Sequence, residues 1–140
     1  MAFRVRRPEE AFTVGKKQRS PRRRAEAHLA FIRTLPCAVC GKCGETEAAH
    51  VRYGDRRAGQ RPTGMQEKPD DRFTVPLCAE HHRLKNYAQH NFSEQLWWKR
   101  IGIDPVLLAL ALFGVSGDRE AGAGIVRDHR LTAKPNGRGK

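Results

Sequence analysis

A chain of 140 residues with 39% hydrophobic content is one domain with a modest core. Its longest apolar stretch, PVLLALALFGV at 105–115, falls well short of the ~18 residues needed to cross a bilayer, and the charged start MAFRVRRPEE lacks the apolar segment of an export signal. These features exclude a membrane-spanning protein and point to a reducing cytoplasm, where cysteines favour metals over disulfides. The net charge of +12 gathers in the arms. Residues 1–36 hold ten Lys/Arg against three Asp/Glu, residues 37–113 eleven against nine, and residues 114–140 six against three. Runs such as KKQRSPRRR (16–24) attract an acidic polymer through counterion release, although a solubilising tail has the same composition.

In chain order, residues 1–20 read as a flexible basic arm. Ser20 and Pro21 then cap a helix whose stripe is Ala25, His28, Leu29, Ile32 and Leu35, stopped by Pro36, with His28 as a packing histidine. A cysteine loop, CAVCGKCG, leads to a short strand within 45–53 and to a long Gly-, Arg- and Pro-rich surface loop over 54–70. RFTVPL (72–77) alternates as a second, antiparallel strand with Phe73, Val75 and Leu77 on one face, and Pro76 puts it at a sheet edge. Helical pattern resumes at Ala79, again after a Ser93 cap up to Gly102, and finally after Asp104–Pro105 up to Gly114. Trp97 and Trp98 are expected in the core rather than as a base-stacking platform. Residues 115–140 read as a flexible Gly-rich basic tail with nothing to bury, which leaves 21–114 as the domain.

The cysteine spacing carries the first chemical expectation. Cys37 and Cys40 lie two residues apart, and Cys78 and His81 repeat that spacing after a compact insert. Two such pairs supply the four donors of a tetrahedral structural Zn2+ site, each forming a knuckle that aims its ligands at one point. Cys43 extends the first pair and can replace Cys40 or His81; a disulfide reading has little support in a chain without an export signal. His82 is left over, and adjacent helical side chains point about 100° apart, so His81 and His82 suit two different sites. His50, Asp71, Asn86 and His90 are the remaining candidates around this strand–loop–strand–helix unit.

The order C-x-x-C, AH, DRFTVPLC-x-x-HH resembles the HNH endonucleases. LAFIRTLPCAVCG, EAAHVRYG, KPDDRFTVPLCAEHHR and AQHNFSEQLWWKRIGIDP together look like the phage and prophage branch that includes recombination-enhancement nucleases, over about residues 28–113. The resemblance implies an α+β fold: a zinc-stabilised ββα-metal core with flanking helices and disordered basic arms. It implies His50 as general base, Asp71 near the residue that pins the loop or touches the metal, and His82 as a ligand of a catalytic divalent ion such as Mg2+ or Mn2+. The last ligand falls on Asn86 by position or on His90 by the AQH motif, with His90 preferred, and His90 reaches the same ion only if the segment after His82 is not a straight helix. Many members carry a ligand immediately before the base, where this chain has Ala49, so the protein shell is expected to be thin: His82, His90 and Asp71 with water and phosphate oxygens.

The expected activity is metal-dependent DNA endonuclease chemistry, hydrolysing or nicking phosphodiesters to 5′-phosphate and 3′-hydroxyl ends. Arg52, Arg56, Arg57 and Arg61 near the loop, and Arg22, Arg23 and Arg24 in the arm, are expected to meet phosphates. DNA is the expected partner, with a recombination protein as a second one, for a monomer in the cytoplasm of a bacterial host cell. The competing readings are a non-catalytic zinc-stabilised nucleic-acid-binding module and a zinc-knuckle adaptor for protein.

Overall fold

The computed structural model describes residues 24–60, 68–84, 88–89 and 93–134. The architecture is mixed α+β, with helices around one small two-stranded sheet. Helix α1 (Glu26–Arg33) buries His28, Leu29, Phe31 and Ile32, and Leu35 just beyond it is also fully buried. Those positions recur at three and four residues, so a single face of the helix meets the core. Ser20 and Pro21 lie outside the described residues, but Ala25, with φ of −146°, is the N-cap, so α1 begins at Glu26 and is shorter than the helix expected from Pro21. Thr34 closes the helix and donates its hydroxyl to the Phe31 carbonyl at 2.7 Å.

Strands β1 (Thr46–His50) and β2 (Thr74–Cys78) pair antiparallel, from Thr46 opposite Cys78 to His50 opposite Thr74. Both are narrower than the runs read from sequence. Every residue of β2 is buried, not one alternating face, because α1 and a later helix pack against this strand. Pro76 lacks an N–H and costs no ladder bond on an edge strand, while its carbonyl accepts the Ala38 N–H at 2.9 Å. That bond ties the cysteine loop to the sheet.

After β2 the backbone forms a π-helical segment, Glu80–Leu84, rather than an extended α-helix. Helix α2 (Glu94–Ile101) buries Trp97 and Trp98, which pack edge to face at 4.8 Å and take the core positions expected of them. Ser93 sits at its N-cap without a capping side-chain bond, a departure from the expected cap; Gly102, with φ of 85°, ends the helix. Helix α3 (Pro105–Gly114) is capped by Asp104, whose carboxylate accepts from the Val106 and Leu107 N–H groups. No helix of the described residues is long and apolar enough to cross a membrane.

The expectation of an inert tail after Gly114 is overturned by helix α4 (Arg119–Leu131), capped by the Asp118 side chain on the Ala121 N–H. Val126 is fully buried, and Gly122 lies so close to α1 that a Cβ there would sit 2.7 Å from Phe31 Cζ and 2.9 Å from Leu35 Cδ2. The packed body therefore continues past residue 114. His28 is the packing histidine anticipated, but its Nδ1 partner is Ser116 Oγ at 2.9 Å and its ring meets Phe113 edge on, both at or beyond the end of α3. Burial pushes its imidazole below the ordinary histidine pKa, against the opposing pull of the Asp71 carboxylate.

Candidate functional site

The cysteine loop folds back on itself. The Cys37 N–H donates to the Lys42 carbonyl and the Gly41 N–H to the Cys37 carbonyl, each at 2.9 Å, while the Val39 N–H points at Cys37 Sγ at 3.4 Å. The turn needs φ of 72° at position 41, in the left-handed region that favours glycine, and the flexible tip of Arg130 from α4 lies over that backbone. Across the hairpin, Cys78 ends β2 and His81 lies one turn on. One donor atom from each of Cys37, Cys40, Cys78 and His81 falls within 4.8 Å of the others, so this Cys3His group can hold a metal ion.

The donors fit a tetrahedral ion such as zinc, whose bonds of about 2.3 Å to sulfur and 2.0 Å to nitrogen imply about 3.8 Å between sulfurs and about 3.5 Å from sulfur to nitrogen. Cys40 and Cys78 Sγ are 3.8 Å apart, and His81 Nδ1 lies 3.1 Å from Cys78 Sγ and 4.0 Å from Cys37 Sγ. A sulfur separation of 3.8 Å is no disulfide. Burial pushes the Cys37 thiol up to about 11. At Cys40 burial acts in the same sense but is outweighed by the Lys42 N–H and the Cys37 and Cys78 thiols, which hold it below its ordinary value. Cys43, the open alternative, is exposed, lies 3.7 Å from the Gly41 carbonyl and is outside the group.

At the other end of the hairpin, His50 Nε2 meets Asp71 Oδ1 at 2.9 Å. Asp71 Oδ2 accepts the Ala25 N–H at 2.7 Å, which joins the dyad to the start of α1. The His50 side chain is 19% exposed and that of Asp71 1%. An imidazole that donates Nε2–H to this carboxylate carries its lone pair on Nδ1. Asp71 is thus placed to hold His50, with one of its oxygens on the imidazole and the other on the start of α1.

His81 and His82 do diverge to two sites. His82 Nδ1 meets Glu47 Oε2 at 2.6 Å, and Arg83 grips the same carboxylate at 2.9 Å. The Arg83 hydrogen bond, with His82 behind it, holds Glu47 below the usual carboxylate range against its partial burial. A carboxylate that accepts Nδ1–H leaves the lone pair on Nε2, the arrangement found behind metal-ligating histidines. Glu47 was not singled out in the sequence. It shares a face of β1 with Ala49, two residues on, and Ala49 itself is fully buried.

Among the described residues the Cys3His set is the only metal-capable group of three or more donors, and His82 is not gathered with His50 and Asp71 into another. Asn86 and His90 lie outside the described residues, as do Arg61, Arg22 and Arg23. Arg24, Arg52 and Arg56 are exposed. Arg57 is held by Asp55 and Asp104, each at 2.8 Å, and so braces the loop against α3. Over 55–60 that loop has local structure its composition does not suggest: Arg56–Ala58 form a 3-10 turn capped by Asp55, and buried Gln60 donates to the Val51 carbonyl. The Arg52 N–H is accepted by Glu94, whose carboxyl is pushed up to about 7 by burial despite that bond and another from Gln89.

The chain belongs to the DUF968 family. The family model, described as a protein of unknown function, matches residues 6–110. That span of DUF968 takes in the cysteine loop, the hairpin and both histidine pairs, ends within α3 and excludes α4. No curated protein and no solved structure matches the chain.

Proposed function

We propose that the chain is a metal-dependent DNA endonuclease with His50 as its general base. The observation that carries this reading is the His50–Asp71 pair, a partly exposed imidazole bound at 2.9 Å to a buried carboxylate at the end of β1. Such a pairing fixes the tautomer and stabilises the imidazolium that forms when a base takes a proton. Nδ1 of His50 accepts the proton of a water attacking phosphorus, Asp71 offsets the resulting charge, and the exposed arginines Arg52 and Arg56 orient the strand. His82, with Asn86 or His90, would hold the divalent ion. When bound, that ion supplies Lewis-acid stabilisation of charge on the phosphate and the leaving 3′ oxygen. The Cys3His group holds zinc as a structural ion, since a closed four-ligand shell has no position for substrate.

A non-catalytic zinc-stabilised nucleic-acid-binding module is the second reading, favoured by the buried Ala49 where many HNH nucleases place a ligand. Nicking of supercoiled plasmid, with Mg2+, Mn2+ and other divalent ions in turn, separates the two. The nuclease reading expects ion-dependent nicking that is lost in His50→Ala while DNA affinity persists. Nicking unchanged in His50→Ala, or absent with every ion while DNA is bound, would sink it.

A further inference from the structure

Beyond the dyad, the chain turns into an open cleft of roughly 800 Å³ between the 53–57 loop, α2 and the start of α3. Its volume is in the range of small-ligand sites, about 300–1,000 Å³. Tyr53 and Trp98 give it an aromatic lining, and Arg56, Lys99 and Lys134 bring positive charge. Arg57 also lines it but is neutralised by Asp55 and Asp104, whereas Arg56, Lys99 and Lys134 form no ion pair among the described residues. Lys134 is anchored there by its backbone N–H on the Gly102 carbonyl at 3.2 Å.

The floor of the cleft holds a second feature. Trp98 is almost completely buried, yet its indole Nε1–H has no acceptor among the described residues, an unusual state for a buried donor. Tyr53 is half-buried; burial, and then the nearby carboxylates of Asp104, Glu94 and Asp55, push its phenol far up, so it stays a neutral donor. The Tyr53 ring, its neutral hydroxyl donor and three cations together match a nucleotide, which offers a π-face, carbonyl acceptors and a phosphate. Tyr53 follows His50 by three residues, so the cleft begins within about 10 Å of the dyad along the chain, the advance of roughly three nucleotides of one B-form strand.

We propose that this cleft is a nucleotide subsite, binding a nucleotide that flanks the scissile phosphate of a nucleic-acid strand, with Lys99 and Lys134 on phosphate and Tyr53 against base and sugar, above the buried Trp98. The assignment rests on the nuclease reading for its register but not for its chemistry.

The test uses the full chain without added divalent ion. Thymidine 5′-monophosphate and then a ten-residue oligothymidylate are titrated against the 15N-labelled protein, following the Trp98 indole N–H with that of Trp97 as internal control. The expected result is a shift of Trp98 and not Trp97. Lys99→Ala and Lys134→Ala, both at exposed positions, should each weaken oligonucleotide binding about five- to eightfold at 0.1 M salt and lower the salt slope by about one. A stationary Trp98 signal with oligonucleotide bound, or an unchanged slope in the double variant, overturns the cleft. If that double variant still nicks plasmid at the parent's rate and affinity, the nuclease reading survives and the subsite does not. If Trp98 shifts and the slope falls but no ion supports nicking, the subsite stands and the nuclease reading does not.

Discussion

Replacing Asp71 by Asn changes one atom and breaks one of two bonds. The carboxylate accepts from Ala25 N–H at 2.7 Å and from His50 Nε2 at 2.9 Å, whereas an amide offers one accepting oxygen and one donating nitrogen. If the oxygen stays with Ala25, the imidazole must move its proton to Nδ1, and the lone pair that should face water faces the amide. If it stays with His50, a backbone N–H confronts a second donor, at a cost of about 1–3 kcal/mol. The nicking rate should therefore fall roughly 10²- to 10⁴-fold, the range for a misplaced or missing base, with at most about 3 kcal/mol of lost stability. Single-turnover nicking at saturating divalent ion, beside thermal melts, measures both. Because Asp71 acts through His50, the double variant His50→Ala/Asp71→Asn should be no slower than His50→Ala alone. A folded Asp71→Asn within twofold of the parent, or losses that multiply in the double variant, would refute the dyad.

Four further outcomes follow from the geometry. Chelation or Cys78→Ser should unfold the domain and abolish a content of one zinc per chain, because a structural zinc contributes about 10–16 kcal/mol where a whole domain has about 5–15; an equally stable Cys78→Ser protein would contradict it. Gly122→Val should lose about 1–3 kcal/mol by driving a side chain into Phe31 and Leu35, which denaturant titration reads, whereas a truly inert tail would register nothing. Glu47→Gln should raise the divalent ion needed for half-maximal rate about 10- to 100-fold, with excess ion restoring activity, and an unchanged requirement would detach Glu47 from His82's role. Glu94 has its folded pKa raised from 4.5 to about 7, so its contribution is fully present below pH 4.5 and is lost as pH rises through 7. Glu94→Gln should thus gain stability over the parent above pH 7, by up to about 3 kcal/mol, and little below pH 4.5; melts at pH 4 and 8 that show the same difference would exclude this.

What could be read directly from the sequence was what spacing alone controls. Cys37, Cys40, Cys78 and His81 are legible because each knuckle is a property of four consecutive residues, and the divergence of His81 from His82 follows from adjacency on a helical turn. Helix α4 was not legible: REAGAGIVRDHRL mixes charges with two glycines, and only Gly122 and Val126 are deeply buried, against partners such as Phe31 and Leu35 some 90 residues earlier. Small residues permit that close approach, but no local pattern announces it. Glu47 escaped for a related reason. Its partners His82 and Arg83 lie 35 and 36 residues away, and the pairing becomes visible only once the strand register is known.

That register links the two halves of the site. Thr46 opposite Cys78 brings the end of β2 to the cysteine loop, and His50 opposite Thr74 brings the start of β2 to the dyad. Thr74 donates its hydroxyl to the Asp71 carbonyl at 2.7 Å, so Asp71 is carried to His50 by the same five-residue ladder that carries Cys78 to Cys40. A slip of one residue would turn His50 and Cys78 to the wrong faces together. An ion in the Cys3His group would pin one end of β2 to the cysteine loop, and the Ala38 N–H on the Pro76 carbonyl pins its middle. An ion held there would thereby fix the position of His50 and Asp71 without touching either, which is a physical reason for a knuckle and a dyad to share so short a hairpin.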